Sequence, residues 1–324
     1  MRWLAIVLAA AAITGGAAVV ADGAAAAPSA NAARTATLTI KLAGVNGPVG
    51  AIVSDAVWRV NGVVSAYAPR QHVVLHVFRN GVRVLTRTLD VTRKGRHGVF
   101  GATLRIGGIG HLTVRAFHRA TGAQPSMVSR TFALWLVDPT VQPDEHSFAA
   151  RILQYQLSQD HFIVGAPGVY DEQTQWAVMA FRKLAGLERT FVADASVFQA
   201  LAAGAGSFVI RYPQNGRHIE ADLTHQVIAL IGAGGAVERI YAISSGKPST
   251  PTALGDFRFY WQQPGVNNVG MVNSSYFNGG DAIHGYPEVP AYAASHGCLR
   301  VWIPDSLSIM QWIQIGTPIE VYYR

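Results

Sequence analysis

Cys298 is the only cysteine among 324 residues, and it stands in the segment Ser295-His296-Gly297-Cys298-Leu299-Arg300. Upstream lies Asp281-Ala282-Ile283-His284-Gly285, and nine residues separate Gly285 from Ser295. A thiol with two imidazoles at this spacing suits nucleophilic catalysis, because a free thiol is mostly protonated at neutral pH and needs a base or a cation to become a nucleophile. His296 is two residues away in sequence. His284 can reach Cys298 if the chain folds back, and Pro287, Pro290 and the small residues between them make that stretch loop-like. Gly297 permits a sharp backbone conformation and close approach of a substrate carbonyl. Main-chain N–H groups at and just before Cys298 can then hold the oxyanion of an acyl-transfer intermediate. The same residues have two other uses. Cys298, His296 and His284 are all zinc ligands, although their spacing fits no common zinc pattern, and a lone Cys can be a small buried hydrophobe. Neither a metal nor a cofactor is expected.

The rest of the chain says where such chemistry would occur. Met1-Arg2, an apolar run from Trp3 to Ala21, Asp22 and the small residues Gly23 to Ala27 have the layout of a secretory signal peptide, so residues 1–35 are set apart. The alternative is an uncleaved membrane anchor. Either one puts the remainder outside the cytoplasmic membrane, where a single cysteine can form no internal disulfide. With 26 basic and 19 acidic side chains the formal charge is +7, a balance that favours anionic surroundings. Outside the cell these are wall polymers, and no nucleic-acid partner is expected. Scattered, solvated Lys and Arg would give the same balance.

Several elements must position the Cys–His segment. Residues 36–137 show short alternating runs, at Thr37 to Leu42, His72 to Phe78, Val82 to Leu89, Ala102 to Ile106 and His111 to Phe117. Period-two alternation predicts strands, and Asn80-Gly81 between two runs predicts a hairpin turn. Their spacing fits an immunoglobulin-like β-sandwich. Residues 138–146, with Pro139 and Pro143, read as a linker. Helical spacing follows in Leu153, Leu157, Trp176, Val178 and Phe181, within a small helical module over residues 147–204. Strand patterns return in 207–324, with a near-continuous apolar run at Gln226 to Ile231 and one helix from Pro304 to Ile313. The fold class is multidomain and mainly β.

Two segments resemble known families. Leu153-Gln154-Tyr155-Gln156-Leu157, Gly168 to Thr174, Ala177 to Lys183 and Gly186-Leu187 are similar to the three-helix peptidoglycan-binding module, although Phe191 to Ala195 lacks the Asp-Gly turn usual before its last helix. His284-Gly285 with Ser295-His296-Gly297-Cys298-Leu299-Arg300 resembles the active-site signature of the L,D-transpeptidases, the YkuD-type catalytic domain. The likeness extends through Lys247 to Thr252, Gly255-Asp256-Phe257 and Tyr276 to Gly280.

That resemblance implies a mostly β domain in which Cys298 attacks the carbonyl preceding the terminal D-Ala of a tetrapeptide stem and forms a thioester. A second stem's amine accepts the acyl group to give a 3→3 cross-link. It implies His284 as general base and acid, His296 and Gly297 as shaping the thiolate environment and oxyanion hole, and the Gly285 backbone as orienting His284. Arg300, Tyr276 and Ser295 become candidate substrate contacts, with loop anchoring for Arg300 and core packing for Tyr276 as their other uses. The partners implied are peptidoglycan stem peptides as donor and acceptor. Water as acceptor would make the same thioester chemistry that of an L,D-carboxypeptidase. A catalytically inert wall-binding protein is the reading from a different class.

Overall fold

The computed structural model describes residues 36–45 and 50–324, and the expected signal peptide lies outside the described residues. Strand outweighs helix, as expected. The first strands are β1 (Leu38–Ala43), β2 (Ala51–Val53), β3 (Val57–Val64), β4 (His72–Arg79), β5 (Val82–Asp90), β6 (Thr92–Lys94), β7 (His97–Arg105), β8 (Gly110–His118), β9 (Met127–Val128) and β10 (Phe132–Val137). They form two sheets, ordered β1-β3-β7-β6 and β2-β10-β8-β4-β5, with β9 on β8. Exposed and buried residues alternate strictly along β3, so Trp58, Val60 and Val64 point inward. There they meet Val73, Leu75, Val114 and Leu136 from the other sheet in one core. Asn80 and Gly81, with φ of 50° and 80°, join β4 to β5 as the predicted hairpin turn.

Three helices follow: α1 (Phe148–Gln159), α2 (Glu172–Leu184) and α3 (Ala195–Ala202). Each begins on an oxygen-bearing cap. Ser147, Asp171 and Asp194 accept from the N–H groups of Ala150, Thr174 and Ser196. Asp194 therefore starts the last helix without the glycine of the usual turn. The stretch expected as a linker is packed down: Val141 is buried, and its N–H donates to Ala193 O at 2.8 Å.

The remaining strands are β11 (His218–Asp222), β12 (Val227–Ile231), β13 (Val237–Ala242), β14 (Gly255–Arg258), β15 (Trp261–Val266), β16 (Val272–Asn278), β17 (Asp281–Gly285), β18 (Leu299–Val301) and β19 (Pro318–Tyr322). Helix α4 (Ile303–Trp312) precedes β19. One sheet runs β13-β12-β11-β19-β14 and the other β15-β16-β17-β18. The apolar run at β12 has a simple cause: the strand is buried on both faces. Ile228 and Leu230 face the core between the two sheets, with Ile283, Leu299 and Val301. Val227, Ala229 and Ile231 face the other way, into a core shared with Leu153, Phe181 and Phe198 of the helices.

The helical segment is thus one wall of the β11–β19 region. Lys183 on α2 is buried and donates to Gln226 O at 3.2 Å and Ile243 O at 2.8 Å. At the other end of α2, Gln173 donates to Asp305 Oδ1 at 3.0 Å, and Trp176 stacks on Trp302.

Candidate active site

Strands β17 and β18 run parallel with Ile283 opposite Leu299 and His284 opposite Arg300. Side chains alternate along a strand, so His284 and Arg300 share a face. Cys298 immediately precedes β18, and its Sγ donates to Gly280 O, just before β17, at 3.5 Å. The chain does fold back between them, as the prolines suggested.

His284 is buried, and its Nδ1 lies 2.9 Å from Gly285 O. A carbonyl only accepts, so Nδ1 carries the proton and Nε2 keeps its lone pair. The Gly285 backbone therefore orients the ring. Gly285 must also be glycine for packing, because a Cβ would come within 2.9 Å of Ser306 Oγ and 3.0 Å of Ile303 Cα on α4. Burial pulls the His284 pKa down to about 4; the Gly285 bond opposes this and the Arg300 charge adds to it. Burial pushes the Cys298 thiol up, the Ala282 N–H lowers it, and Asp281 raises it again. Both shifts favour the neutral form, thiol for Cys298 and imidazole for His284.

His296 has a different partner. It is exposed, and its Nε2 accepts from Lys247 Nζ at 3.1 Å. An ammonium has no lone pair, so that contact occupies the nitrogen a base would need. Lys247, to which the sequence assigned nothing, thus has a definite place beside the site.

The turn before the thiol is built from Ser295. Its hydroxyl donates to Cys298 O at 2.6 Å and accepts from Gly297 N at 3.2 Å. Ser295 is buried, so it shapes the turn instead of facing substrate as expected. Hydrogen bonds continue outward from it: Ala294 and Ser295 N–H donate to Ser245 O, Ser245 pairs with Gln226, and Gln226 O meets Lys183. Gly297 has φ 125°, and a Cβ there would lie 2.3 Å from Asp281 Oδ1. Asp281 is the neighbour that sequence reasoning missed, although it opens the His284 segment. Burial holds its carboxyl above the usual range.

The remaining candidates divide. Tyr276 is buried, stacked on Trp261 at 4.7 Å, with its hydroxyl donating to Gln263, so it packs within β15–β16. Arg300 lies over the Tyr286 ring at 4.1 Å and lines a groove of about 560 Å³ with His296. Among the described residues, no three or more His, Cys, Asp and Glu are grouped to hold a metal ion.

Residues 216–321 match the model of the YkuD family, the L,D-transpeptidase catalytic domain, and residues 149–201 match a putative peptidoglycan binding domain. The crystal structure of an L,D-transpeptidase from Xylanimonas cellulosilytica is 32% identical over 57% of this chain and 98% of its own, with a TM-score of 0.52. The chain belongs to the L,D-transpeptidase family. An L,D-transpeptidase structure from Stackebrandtia nassauensis is 18% identical over 57% of this chain and 96% of its own, with a TM-score of 0.37. One from Mycobacterium smegmatis is 12% identical over 88% and 99%, with a TM-score of 0.29. No curated protein matches the chain. The transpeptidase match spans β11 to β19 and so includes Cys298, His284 and the turn between them.

Proposed function

We propose that this protein forms 3→3 cross-links in peptidoglycan through a thioester on Cys298. The reading rests on one observation above the rest: the ring of His284, with Nδ1 held on Gly285 O and Nε2 left with its lone pair, stands on the strand that pairs with the one Cys298 leads into. In the proposed reaction the Cys298 proton passes to His284 Nε2 as sulfur attacks the carbonyl before the terminal D-Ala. The imidazolium then protonates the departing D-Ala amine, leaving the thioester. An acceptor amine attacks that thioester, the amide forms, and its proton returns the sulfur to thiol. Gly297 N–H already donates to Ser295 Oγ, so Cys298 N–H is the local donor for the oxyanion.

The same reading divides the chain into an immunoglobulin-type sandwich over 36–137, a helical module over 147–204 and the catalytic domain over 207–324. The N-terminal segment exports it to the wall, where its positive charge suits anionic polymers. Purified protein incubated with tetrapeptide-stem muropeptides should give dimers with loss of D-Ala by mass spectrometry, and Cys298→Ala should give neither. Tripeptides without dimers would sink the transpeptidase claim in favour of hydrolysis.

A further inference from the structure

The charges are unevenly divided along the chain. Residues 36–137, under a third of its length, hold 13 of the 26 Lys and Arg but only two of the 19 Asp and Glu, a net +11. Residues 138–324 hold 11 basic and 16 acidic side chains, a net −5. The positive charge of the protein is therefore a property of the sandwich, and the catalytic body has the opposite sign. Scattered cations would have left both parts near the average. The two acids of the sandwich already have partners: Asp55 lies 3.8 Å from Arg105, and Asp90 Oδ1 lies 2.8 Å from His72 Nδ1.

One face gathers several of the cations. The sheet β1-β3-β7-β6 turns one side to the sandwich core, and strand alternation and register put Lys41, Arg59 and Lys94 on the other, all three exposed. With Asp90 among the other residues, they line an open trough of about 610 Å³. The face dips at Gly101, opposite Asn61, where no side chain fills it. Arg59 Nε and Asn61 Oδ1 stand 3.9 and 3.3 Å from the place a Cβ would take there. Lys41 is on β1 and Lys94 on β6, three strand spacings or about 14 Å apart. That span is too wide for one phosphate and suits a chain of them. The outer side of the other sheet differs, because there Arg115 is covered by rings, 5.3 Å from Phe78 and 4.9 Å from Phe117.

We propose that this outer face binds a linear phosphodiester polymer of the cell wall, with Lys41, Arg59 and Lys94 on its phosphates and the links between them lying over Gly101. Phosphate oxygens accept charge-assisted hydrogen bonds from Lys and Arg, and the counterions released on contact add affinity at low salt. A trough fits a thread better than it fits the flat surface of a bilayer. Bound in this way, the sandwich tethers the catalytic body and raises the effective concentration of stem peptides around Cys298. This role depends on export of the chain to the wall and not on the chemistry at Cys298.

The test titrates the full chain with synthetic poly(glycerol phosphate), with neutral dextran, and with vesicles of mixed phosphatidylcholine and phosphatidylglycerol. Wild type should prefer the polymer, and its affinity should fall about tenfold or more between about 50 and about 200 mM salt, the scale of three phosphate contacts. Lys41→Gln, Arg59→Gln and Lys94→Gln combined should weaken binding about tenfold or more. Arg83→Gln, Arg119→Gln and Arg130→Gln combined remove the same charge from exposed sites elsewhere on the sandwich, and should weaken it less than about threefold because salt screens distant charges. Both triple variants should be acylated at Cys298 by a carbapenem as fast as wild type. Equal losses in the two triples, binding to dextran as tight as to the polymer, or no binding at all would overturn the assignment of this face. Vesicles bound as tightly as the polymer would overturn the choice of partner. A wild type that binds the polymer yet is never acylated would uphold this role and defeat only the transpeptidase reading.

Discussion

The two regions preceding the catalytic strands are joined to them in opposite ways. The sandwich strands β1–β10 enclose a core of their own, from Leu38 to Leu136, and touch the neighbouring core only at its margin, through Ala51 and Val53 of β2, Ala56 and Val137. The helices have no such independence, because their apolar faces close on Val227, Ala229, Ile231, Ile240 and Ala242 of the catalytic sheet. A core that is shared cannot be divided without exposing both halves. The sandwich is therefore an attachment, whereas the helical segment is part of the catalytic body.

Truncation breaks the comparison most directly. A chain of residues 207–324 alone would expose Val227, Ile231 and Ile240, each costing roughly 1.5–3 kcal/mol of burial. That is comparable to a whole domain's stability of about 5–15 kcal/mol. It should fail to fold, whereas residues 138–324 should fold and acylate. Circular dichroism and thiol acylation check both, and a folded 207–324 would show that the helices merely lean on the sheet.

Next in size is Gly297→Ala. The variant adds both a Cβ at φ 125° and a collision with Asp281 Oδ1 at 2.3 Å. The backbone strain alone is about 1–3 kcal/mol. Shifting the sulfur by even about 1 Å should slow acylation about a hundredfold. Stopped-flow acylation by a carbapenem measures the loss, and a rate near wild type would mean the turn tolerates a side chain.

Ionisation gives two further tests. With His284 at about 4, acylation should hold steady through mildly acidic pH and fall about tenfold per unit below that value, as the base becomes protonated. A fall beginning near pH 6 would point to a less buried His284 ring. Burial lowers Lys183 to about 7, with the Arg189 charge adding to it. Between about 7 and the unfolded value of 10.5 the unfolded chain binds the proton that the folded one lacks, so stability rises with pH across that window and levels off below it. Lys183→Met should remove this rise, which comparing the melting temperatures of the two proteins from pH 7 to 10 would reveal. An unchanged difference across that range would mean that Lys183 is not sealed between the helix and the sheet.

Much of this was legible in the sequence, and the limits have physical reasons. Cys298, His284 and Gly285 could be read from chemistry and signature because they are neighbours in the chain or in a motif. The roles of Ser295 and Tyr276 could not, since a serine in a turn looks the same whether its hydroxyl faces substrate or Cys298 O. Lys247 and His296 meet only across the fold. Strand β3 escapes a run-by-run reading because Asn61-Gly62, a turn signal elsewhere, sits in its middle; there Gly62 makes room for the Phe100 ring, which a Cβ would meet at 2.0 Å. The apolar run at β12 announced burial on both faces. What covered the second face was hidden, because the covering residues lie on α1, α2 and α3.

The smallest expected effect sharpens the comparison from the sandwich side. Gly81 shares with Gly297 a positive φ, here 80°, but nothing lies within 4 Å of where its Cβ would be. Gly81→Ala therefore suffers only the conformational cost of a left-handed alanine, about 1 kcal/mol, with no collision added. The loss should appear as a slightly lower melting temperature of the sandwich and leave acylation of Cys298 untouched, because the β4–β5 hairpin feeds a core that contains no catalytic-sheet residue. A measurable drop in acylation from so local a change would mean that strain in the sandwich is felt at the thiol, and the sandwich would then belong with the helices as part of the catalytic body.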